Sequence, residues 1–315
     1  MAKAQVADVH QRLKGRLLLL LFFLLFMYVV VPRLGNFADS LKAIKEVRGG
    51  HVLLAVVPLV ATYLFAALTY QCLALKRLHL RRTILVQMAN GFAGRLLPAG
   101  LGGLTLNVQY LRRSGHALTQ AVTVAGMNNT LGLIGHSLLL SAAILFSGTQ
   151  LSDGLQLPHP GHGGWIGAGV LIVAAILVLV FRTFRDRVHS LALKVTGNMK
   201  IYRQRPIRLL FALGLSMGVT CGYALTFYLC CQSVGIMLPI GTIFMIFTFG
   251  MLTTTATPTP GGLGGAEAGL IMGLMAYETA APIALASVLL YRLLSYWLPL
   301  LPGLVVFLSV RKKYL

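Results

Sequence analysis

The 315-residue chain alternates between long apolar runs and short polar segments that carry most of its basic residues. A helix that crosses a membrane needs about 20 mostly apolar residues. Six runs approach or exceed this length, and they predict full spans at about 17–33, 52–75, 117–146, 164–182, 209–233 and 283–310. The pattern therefore predicts an all-α polytopic membrane protein.

Two further apolar segments, 83–111 and 240–277, are interrupted by glycine and proline. Basic pairs at 81–82 and 112–113 flank the first segment, and both pairs should lie in the cytoplasm because basic loops are retained there. The first segment must then enter and leave the membrane on the same side. We expect both segments to be re-entrant helical hairpins, whose broken backbone is tolerated where protein or a water-filled cavity satisfies its polar groups.

A related hexapeptide occurs in both interrupted segments, as PAGLGG at 98–103 and PGGLGG at 260–265, which lie 162 positions apart. The residues that define this motif are Pro98, Gly100, Gly102, Gly103, Pro260, Gly261, Gly264 and Gly265. Each half of the chain, 1–155 and 156–315, would then hold three spans and one hairpin. An odd number of spans inverts the second half relative to the first, as in many secondary transporters. The alternative is an ordinary helical bundle in which proline and glycine only kink the helices.

The net charge of +20 is better explained by membrane topology than by binding to nucleic acid. Of the 27 Lys and Arg residues, 21 fall in segments that this topology places in the cytoplasm. These segments are 3–16, 76–82, 112–113, 182–208 and 311–313. We therefore expect an integral protein of the plasma (inner) membrane, of bacterial type, with both chain ends in the cytoplasm.

Three charged side chains, Arg95, Glu267 and Arg292, lie in apolar surroundings. A charge near the centre of the bilayer costs about 2.5–3.5 kcal/mol on insertion scales, which makes each of them a functional candidate. Glu267 and Arg292 could pair with each other, contact a charged headgroup from a central cavity, or do both. Arg95 could bind phosphate with its planar fork or extend to the cytoplasmic interface.

Polar side chains near the two motifs complete the predicted substrate-binding set. Helix starts after the two motif prolines would present N–H groups that suit a lipid phosphate. Thr257 and Thr259 precede the second start, and their hydroxyls could bond a headgroup or cap freed carbonyl groups. Asn128 and Asn129 could line the same cavity or form bonds between helices.

The sequence contains no recognisable catalytic constellation, so we expect no enzyme activity, metal or cofactor. It has only seven acidic residues, and it lacks both a nucleophile elbow and a phosphate-binding loop. The four cysteines fall in predicted spans without the spacing of metal ligands, which is typical of small apolar packing residues.

The most distinctive residues of the chain lie in its C-terminal third. They are PGGLGGAE at 260–267, LLYR at 289–292, Tyr296, Pro299 and Gly303. With Arg95 and the first glycine motif, this set resembles the membrane module of lysyl-phosphatidylglycerol synthases. The resemblance implies a lipid flippase that moves aminoacylated phosphatidylglycerol between leaflets. It also implies that Glu267, Arg292 and Arg95 line the translocation cavity, and it adds Tyr291 to the substrate-binding set.

Two departures from that pattern affect the functional prediction. The first motif has no acidic residue where the second has Glu267, and the chain ends at Leu315 without a soluble aminoacyl-transferase domain. We therefore expect a stand-alone relative that translocates a phospholipid with a polar headgroup, of which an aminoacylated one is an example. The alternatives are a small-solute or proton-coupled transporter and a non-catalytic membrane partner of a lipid-modifying enzyme. Expected partners are anionic or aminoacylated phospholipids, with a homo-oligomer left open.

Overall fold

The computed structural model describes residues 47–96, 100–146, 202, 205–256, 259 and 261–314, which form nine α-helices and no strand. The helices are α1 (Gly49–Leu73), α2 (Leu80–Leu96), α3 (Leu101–Arg113), α4 (Leu118–Phe146), α5 (Pro206–Ser233), α6 (Ile240–Ala256), α7 (Gly265–Met275), α8 (Ala281–Arg292) and α9 (Leu300–Tyr314). A π-helical turn, Leu293–Trp297, lies between α8 and α9. The predicted spans at 17–33 and 164–182 lie outside the described residues.

The outer surface of the helical bundle is apolar. Leu53, Ile207 and Leu301 expose 74%, 67% and 72% of their surface, which is expected where lipid replaces water as the solvent. Three helical segments, α1, α5 and the run Ala281–Val310, are long and apolar enough to cross a membrane. They confirm a helical membrane protein and match the spans predicted at 52–75, 209–233 and 283–310. Helix α4 has 29 residues and coincides with the apolar run at 117–146.

Helices α1 and α5 run in opposite directions and pack against each other. At one end of the pair the backbone N–H of Arg48 donates to the carbonyl of Ser233 at 3.0 Å. At the other end the Tyr202 hydroxyl donates to the carbonyl of Leu73 at 2.7 Å. Midway, Gly222 of α5 lies so close to α1 that an added Cβ would be 2.6 Å from a threonine methyl group. A small residue is therefore needed to let these two helices approach.

Helices α2 and α3 form an antiparallel hairpin, here called the first hairpin. The hydroxyls of Thr83 and Tyr110 lie 2.9 Å apart, and one turn further along Gln87 Nε2 donates to Asn107 Oδ1 at 2.9 Å. Closer to the tip, a Cβ on Gly102 would lie only 1.9 Å from a carbonyl oxygen of α2. Helices α2 and α3 of the segment 83–111 therefore pair as a hairpin, in which the motif glycines bring the two helices together. Its re-entrant course in the membrane stays a prediction.

Helices α6 and α7 form the second hairpin, which is built in the same way. A Cβ on Gly269 would be 2.4 Å from the carbonyl oxygen of Gly250, and a Cβ on Gly273 would be 2.6 Å from the side chain of Ile246. Glycines spaced four residues apart on α7 thus form a smooth surface on which α6 packs. The 17 residues of α6 and the 11 of α7 are fewer than the roughly 20 that a full span needs.

Glycines in left-handed backbone conformations lie at the tips of both hairpins. Gly100 has φ +67°, Gly261 has φ +63° and Gly264 has φ +90°. Residues with a Cβ rarely adopt this region, which explains why both tips are rich in glycine. The motif prolines Pro98 and Pro260 lie outside the described residues.

The open ends of the two hairpins lie at opposite ends of the α1–α5 pair. His116, just after the first hairpin, accepts hydrogen bonds through Nε2 from the backbone N–H groups of Leu75 and Lys76, just after α1. The second hairpin instead begins a short loop after the end of α5, which is the end where α1 starts. The two tips therefore point towards each other inside the bundle.

Helices from the two predicted halves, 1–155 and 156–315, pack against one another throughout the described part of the bundle. Helix α9 lies on α2, where the rings of Phe92 and Phe307 are 5.6 Å apart. A Cβ on Gly303 would be 3.0 Å from the α2 backbone, so a glycine at this position lets α9 approach α2. Together with the α1–α5 pair, this contact makes the halves interlock.

Candidate functional site

Glu267 and Arg292 form an ion pair at the start of α7. Arg292 Nε donates to Glu267 Oε1 at 2.6 Å, and the backbone N–H of Gly264 donates to Oε2 at 2.6 Å. Arg292 Nη2 lies 3.4 Å from the carbonyl oxygen of Gly261. Because Arg292 is only 7% exposed, it needs this carboxylate, since a buried charge without a partner is costly. Of the alternatives for these two residues, the structure shows the pair.

Tyr296, in the π-helical turn, lies where the tips of both hairpins meet. The guanidinium carbon of Arg292 is 4.7 Å from the centre of its ring, and that of Arg95 is 5.0 Å from it. The same ring packs on Gly261, where an added Cβ would be 2.4 Å from a ring carbon. Cations over an aromatic face at these distances are attracted by its quadrupole. Two guanidinium groups and the Glu267 carboxylate leave this cluster with one net positive charge.

Arg95 connects the first hairpin to the last helical segment. Its Nη2 donates to the carbonyl of Ser295 at 2.5 Å, and its Nη1 donates to the carbonyl of Gly91. The Ser295 carbonyl is available because Pro299, four residues later, has no N–H to donate to it. Buried carbonyl groups are nearly always paired, and here an arginine 200 residues away supplies the donor.

A polar cavity of about 520 Å³ lies between α1, α2, α3, α4 and α5. Ligand pockets in proteins are typically of about this size, ~300–1,000 Å³. Twelve of the 20 described residues that line it have neutral polar side chains: Thr62, Tyr63, Thr69, Tyr70, Gln87, Asn90, Asn107, Asn128, Asn129, Ser216, Thr220 and Tyr223. None of the described lining residues carries a charge.

The cavity borders the arginine cluster at Gly91. Gly91 lines the cavity, and its carbonyl accepts the bond from Arg95 Nη1. A Cβ on Gly91 would lie 3.3 Å from the hydroxyl of Tyr63, another lining residue, and 3.5 Å from Arg95 Nη1. The Arg95 guanidinium therefore sits at the edge of the cavity, next to the Tyr63 hydroxyl, although its side chain does not line the cavity.

The predicted substrate-binding residues thus fall in different places. Asn128 and Asn129 line the cavity. Tyr291 is 2% exposed and packs edge-on against the Phe227 ring at 5.3 Å, and it is not among the described residues that line the cavity. The Thr259 hydroxyl donates to a carbonyl of the second motif at 2.8 Å, which is the capping role. Thr257 lies outside the described residues.

Hydroxyl groups on α1 and α5 form a cavity wall that the sequence analysis did not single out. Ser216, Thr220 and Tyr223 line the cavity from α5, at the spacing i, i+4 and i+7 that places side chains on one face of a helix. Thr62 and Thr69 recur on α1 with the same seven-residue spacing. This periodicity was present in the sequence, but the surrounding apolar residues gave these two helices the pattern of simple spans.

The sequence model of the lysylphosphatidylglycerol synthase TM region matches residues 16–303, more than nine-tenths of the chain. The chain belongs to this family. The matched range contains both glycine motifs, the Glu267–Arg292 pair, Arg95 and the described lining of the cavity. Membership of the lysylphosphatidylglycerol synthase TM region family, with the apolar spans, shows an integral membrane protein with a function related to membrane lipids. No curated protein matches the chain.

Proposed function

We propose that this protein is a lipid flippase, which moves a phospholipid with a polar headgroup between the two leaflets. The headgroup occupies the cavity bounded by α1, α2, α3, α4 and α5 while the acyl chains remain in the surrounding lipid. The protein binds, shields and releases the headgroup, and no covalent bond is made or broken. The protein in this proposal is therefore a transporter and has no enzymatic step.

The observation that carries this proposal is a polar cavity inside a bundle whose outside is apolar. A lipid headgroup crosses the hydrocarbon layer slowly because its polar groups would lose hydrogen bonds to water, at a cost of about 2–7 kcal/mol for each unpaired group. The amide and hydroxyl side chains of the cavity replace those bonds. The family membership supports a lipid rather than a water-soluble substrate.

Arg95 gives the proposed site a place for the lipid phosphate. It lies at the edge of the cavity, it belongs to a cluster with one net positive charge, and its planar fork suits phosphate oxygens. The headgroup would then extend from the phosphate at Arg95 into the cavity beside Tyr63. The Glu267–Arg292 pair contributes by holding Tyr296 and the tip of the second hairpin next to Arg95.

The two hairpins supply the moving parts of the proposed mechanism. They enter the bundle from opposite ends, and both tips contact Tyr296. In inverted-repeat transporters, one repeat rocks against the other around a site near the middle of the membrane. We propose that the first hairpin, which carries Arg95 and one wall of the cavity, rocks against the π-helical turn and exposes the cavity to each leaflet in turn.

A leaflet-exchange assay in proteoliposomes tests the proposed function. Fluorescent phosphatidylglycerol would be placed in both leaflets, and a membrane-impermeant reductant would then quench the outer leaflet. Flippase activity predicts that nearly all the fluorescence becomes accessible, while about half remains protected in empty liposomes. The Asn129→Leu variant should exchange lipid about tenfold more slowly. A polar group of the lipid headgroup would lose its hydrogen-bond partner in the cavity, at a cost of about 1–3 kcal/mol.

Thr130→Val is the matched control for Asn129→Leu. Thr130 is the next residue on α4, is exposed, and bonds only the Gly126 carbonyl of its own helix. It does not line the cavity, so its loss should leave the exchange rate within about twofold of the wild type, as for other exposed positions. If folded wild-type protein exchanges no lipid faster than empty liposomes, the flippase proposal is wrong. A small-solute transporter would then be the better interpretation.

A further inference from the structure

The charge of the cavity wall restricts the chemical class of its ligand. Among the 20 described lining residues are four asparagines and one glutamine, together with serine, threonine and tyrosine hydroxyls. Every asparagine that the structure describes lies in this wall. Side-chain amides and hydroxyls both donate and accept hydrogen bonds, which matches them to ligand hydroxyl groups, since these also do both.

The described wall offers no carboxylate to an ammonium group. The two acidic residues that the structure describes are Glu267 and Glu278, and neither lines the cavity. The charge of Glu267 is balanced by Arg292, and its carboxylate also accepts the Gly264 N–H at the tip of the second hairpin. Glu278 lies in the turn after α7 and is exposed. A primary amine in the cavity would therefore lose its hydration without gaining a counter-ion, which is costly in a membrane interior.

Two of the five wall amides, those of Gln87 and Asn107, are held in place by hydrogen bonds. Gln87 Nε2 donates to Asn107 Oδ1 at 2.9 Å, and Asn107 Nδ2 donates to the carbonyl of Gly103 at 2.9 Å. Gln87 and Asn107 are 5% and 3% exposed, so this chain of bonds forms a fixed part of the wall. A ligand hydroxyl can therefore bond this part of the wall without further ordering of its side chains.

We propose that the headgroup carried by this cavity is neutral and rich in hydroxyl groups, and that it is joined to the lipid through a phosphate. Lipids that carry glycerol, inositol or a sugar on their phosphate belong to this class. The inference rests on the proposed flippase function and specifies its substrate. The phosphate lies at Arg95, whose guanidinium borders the cavity at Gly91, and the hydroxyl-bearing group contacts the amides beyond it.

A comparison of four lipids with the same fluorescent acyl chain tests this inference. Phosphatidylglycerol and phosphatidylinositol carry neutral hydroxyl-rich headgroups, whereas phosphatidylethanolamine and lysyl-phosphatidylglycerol carry ammonium groups. We expect the first two to exchange at least about tenfold faster than the last two, as for sites that must leave a charged group unpaired. If either ammonium lipid exchanges as fast as the first two, the inference is wrong although the flippase function stands. If none of the four exchanges, the proposed function itself fails.

A single added charge should reverse this selectivity. Asn128→Asp and Asn129→Asp each place a carboxylate in the cavity with almost no change in side-chain volume. Both variants should slow phosphatidylinositol about tenfold, because the carboxylate repels the lipid phosphate, and should speed lysyl-phosphatidylglycerol about tenfold, because the carboxylate pairs with its ammonium groups. Two positions are used so that the misfolding of one variant does not prevent the measurement.

Gln120→Glu provides the matched control for these variants. Gln120 lies on the same helix, two turns before Asn128, and its Oε1 accepts the Ala117 N–H, which a glutamate can also do. It is not part of the described cavity lining. The control adds the same charge outside the cavity and should keep the wild-type selectivity. An unchanged preference in both aspartate variants would show that the cavity wall does not contact the headgroup.

Discussion

Arg95 shows how one side chain can join distant parts of this fold. It bonds the Ser295 carbonyl left free by Pro299 and stacks on Tyr296, so it links the first hairpin to the last span. The geometry depends on a planar group that donates from two nitrogens while it lies over a ring. A lysine keeps the charge, but it has a single nitrogen and no planar group, so it cannot donate from two nitrogens while it lies over the ring.

Substitution of Arg95 should therefore lower both stability and transport. We expect Arg95→Gln to lower the free energy of unfolding by about 1–3 kcal/mol, because it leaves a buried carbonyl unpaired and removes the contact with the ring. Arg95→Lys should recover less than half of that loss. Thermal unfolding in detergent measures the effect, with the exposed Arg113→Gln as control. Full recovery by lysine would show that charge alone matters at this position.

In the Glu267–Arg292 pair, removal of one charge should destabilise the protein more than removal of both. Glu267→Gln leaves the buried Arg292 without its counter-charge and should destabilise by about 3–5 kcal/mol. The double variant Glu267→Gln with Arg292→Gln removes both charges and should be more stable than Glu267→Gln alone. Thermal unfolding of the wild type, the single variants Glu267→Gln and Arg292→Gln, and the double variant gives the coupling energy. Additive losses would indicate that the two side chains do not stabilise each other.

His116 gives the protein a pH-dependent contact outside the spans. Its buried ring accepts two backbone N–H groups after α1 through Nε2, while Nδ1 donates to the Leu111 carbonyl at 3.0 Å. Protonation would put a hydrogen on Nε2 and break both accepted bonds. Burial lowers the pKa of His116, and the Lys76 charge lowers it further, while the bond to Leu111 partly opposes this.

The sign of the pH effect follows from that direction. Because the folded state holds His116 with a pKa below the unfolded value of about 6.5, its contribution is fully present above pH ~6.5 and is lost as the pH falls below that value. We expect the midpoint temperature of thermal unfolding of the wild type to decrease as the pH is lowered from about 7 to about 5. His116→Ala should have a lower midpoint at pH 7 and a weaker decrease. Equal slopes for the two proteins would exclude this role.

At the scale of elements, the glycines of the bundle divide into positions that close helix packing requires and positions that it does not. A Cβ at Gly102 or Gly269 would overlap the backbone of the neighbouring helix, whereas a Cβ at Gly126 of α4 meets nothing within 4 Å. We expect Gly102→Ala and Gly269→Ala to destabilise by about 1–3 kcal/mol, as overpacked sites do. Gly126→Ala should be neutral or stabilise by about 0.5–1 kcal/mol. Thermal unfolding measures all three, and tolerance of alanine at Gly102 and Gly269 would contradict the close packing.

The hairpins could be predicted from the sequence because their signal is local. Two similar glycine motifs, each in a broken apolar segment, require close helix pairs at those places. The bond between Arg95 and Ser295 could not be predicted in this way, because it joins residues 200 positions apart and needs the register of two helices. The cavity wall on α1 and α5 was missed for a related reason: single hydroxyls in an apolar helix do not show whether they face lipid or protein.

At the scale of the whole molecule, the two hairpins and the last span form one connected unit. Their tips meet at Tyr296, and the cavity lies beside this contact on the side of the first hairpin. The two hairpins are therefore not equivalent. The first one carries one wall of the cavity, whereas the second one carries the carboxylate that holds Arg292. In the proposed mechanism, this asymmetry gives substrate contact to the first hairpin and support to the second, although both have a similar glycine motif.

Cysteine labelling tests whether the two halves are inverted in the membrane. Ala117 follows the first hairpin and Ala280 follows the second, and both alanines are exposed in loops at opposite ends of the bundle. With the native cysteines replaced by alanine, Ala117→Cys should react with an impermeant maleimide only from the cytoplasmic side, because basic residues flank it. Ala280→Cys should react only from the outer side. Labelling of both from one face would rule out the inverted arrangement, because the hairpins could then not approach Tyr296 from opposite faces of the membrane. Labelling from opposite faces would instead place the Arg95–Tyr296 contact between the leaflets, where a headgroup must pass.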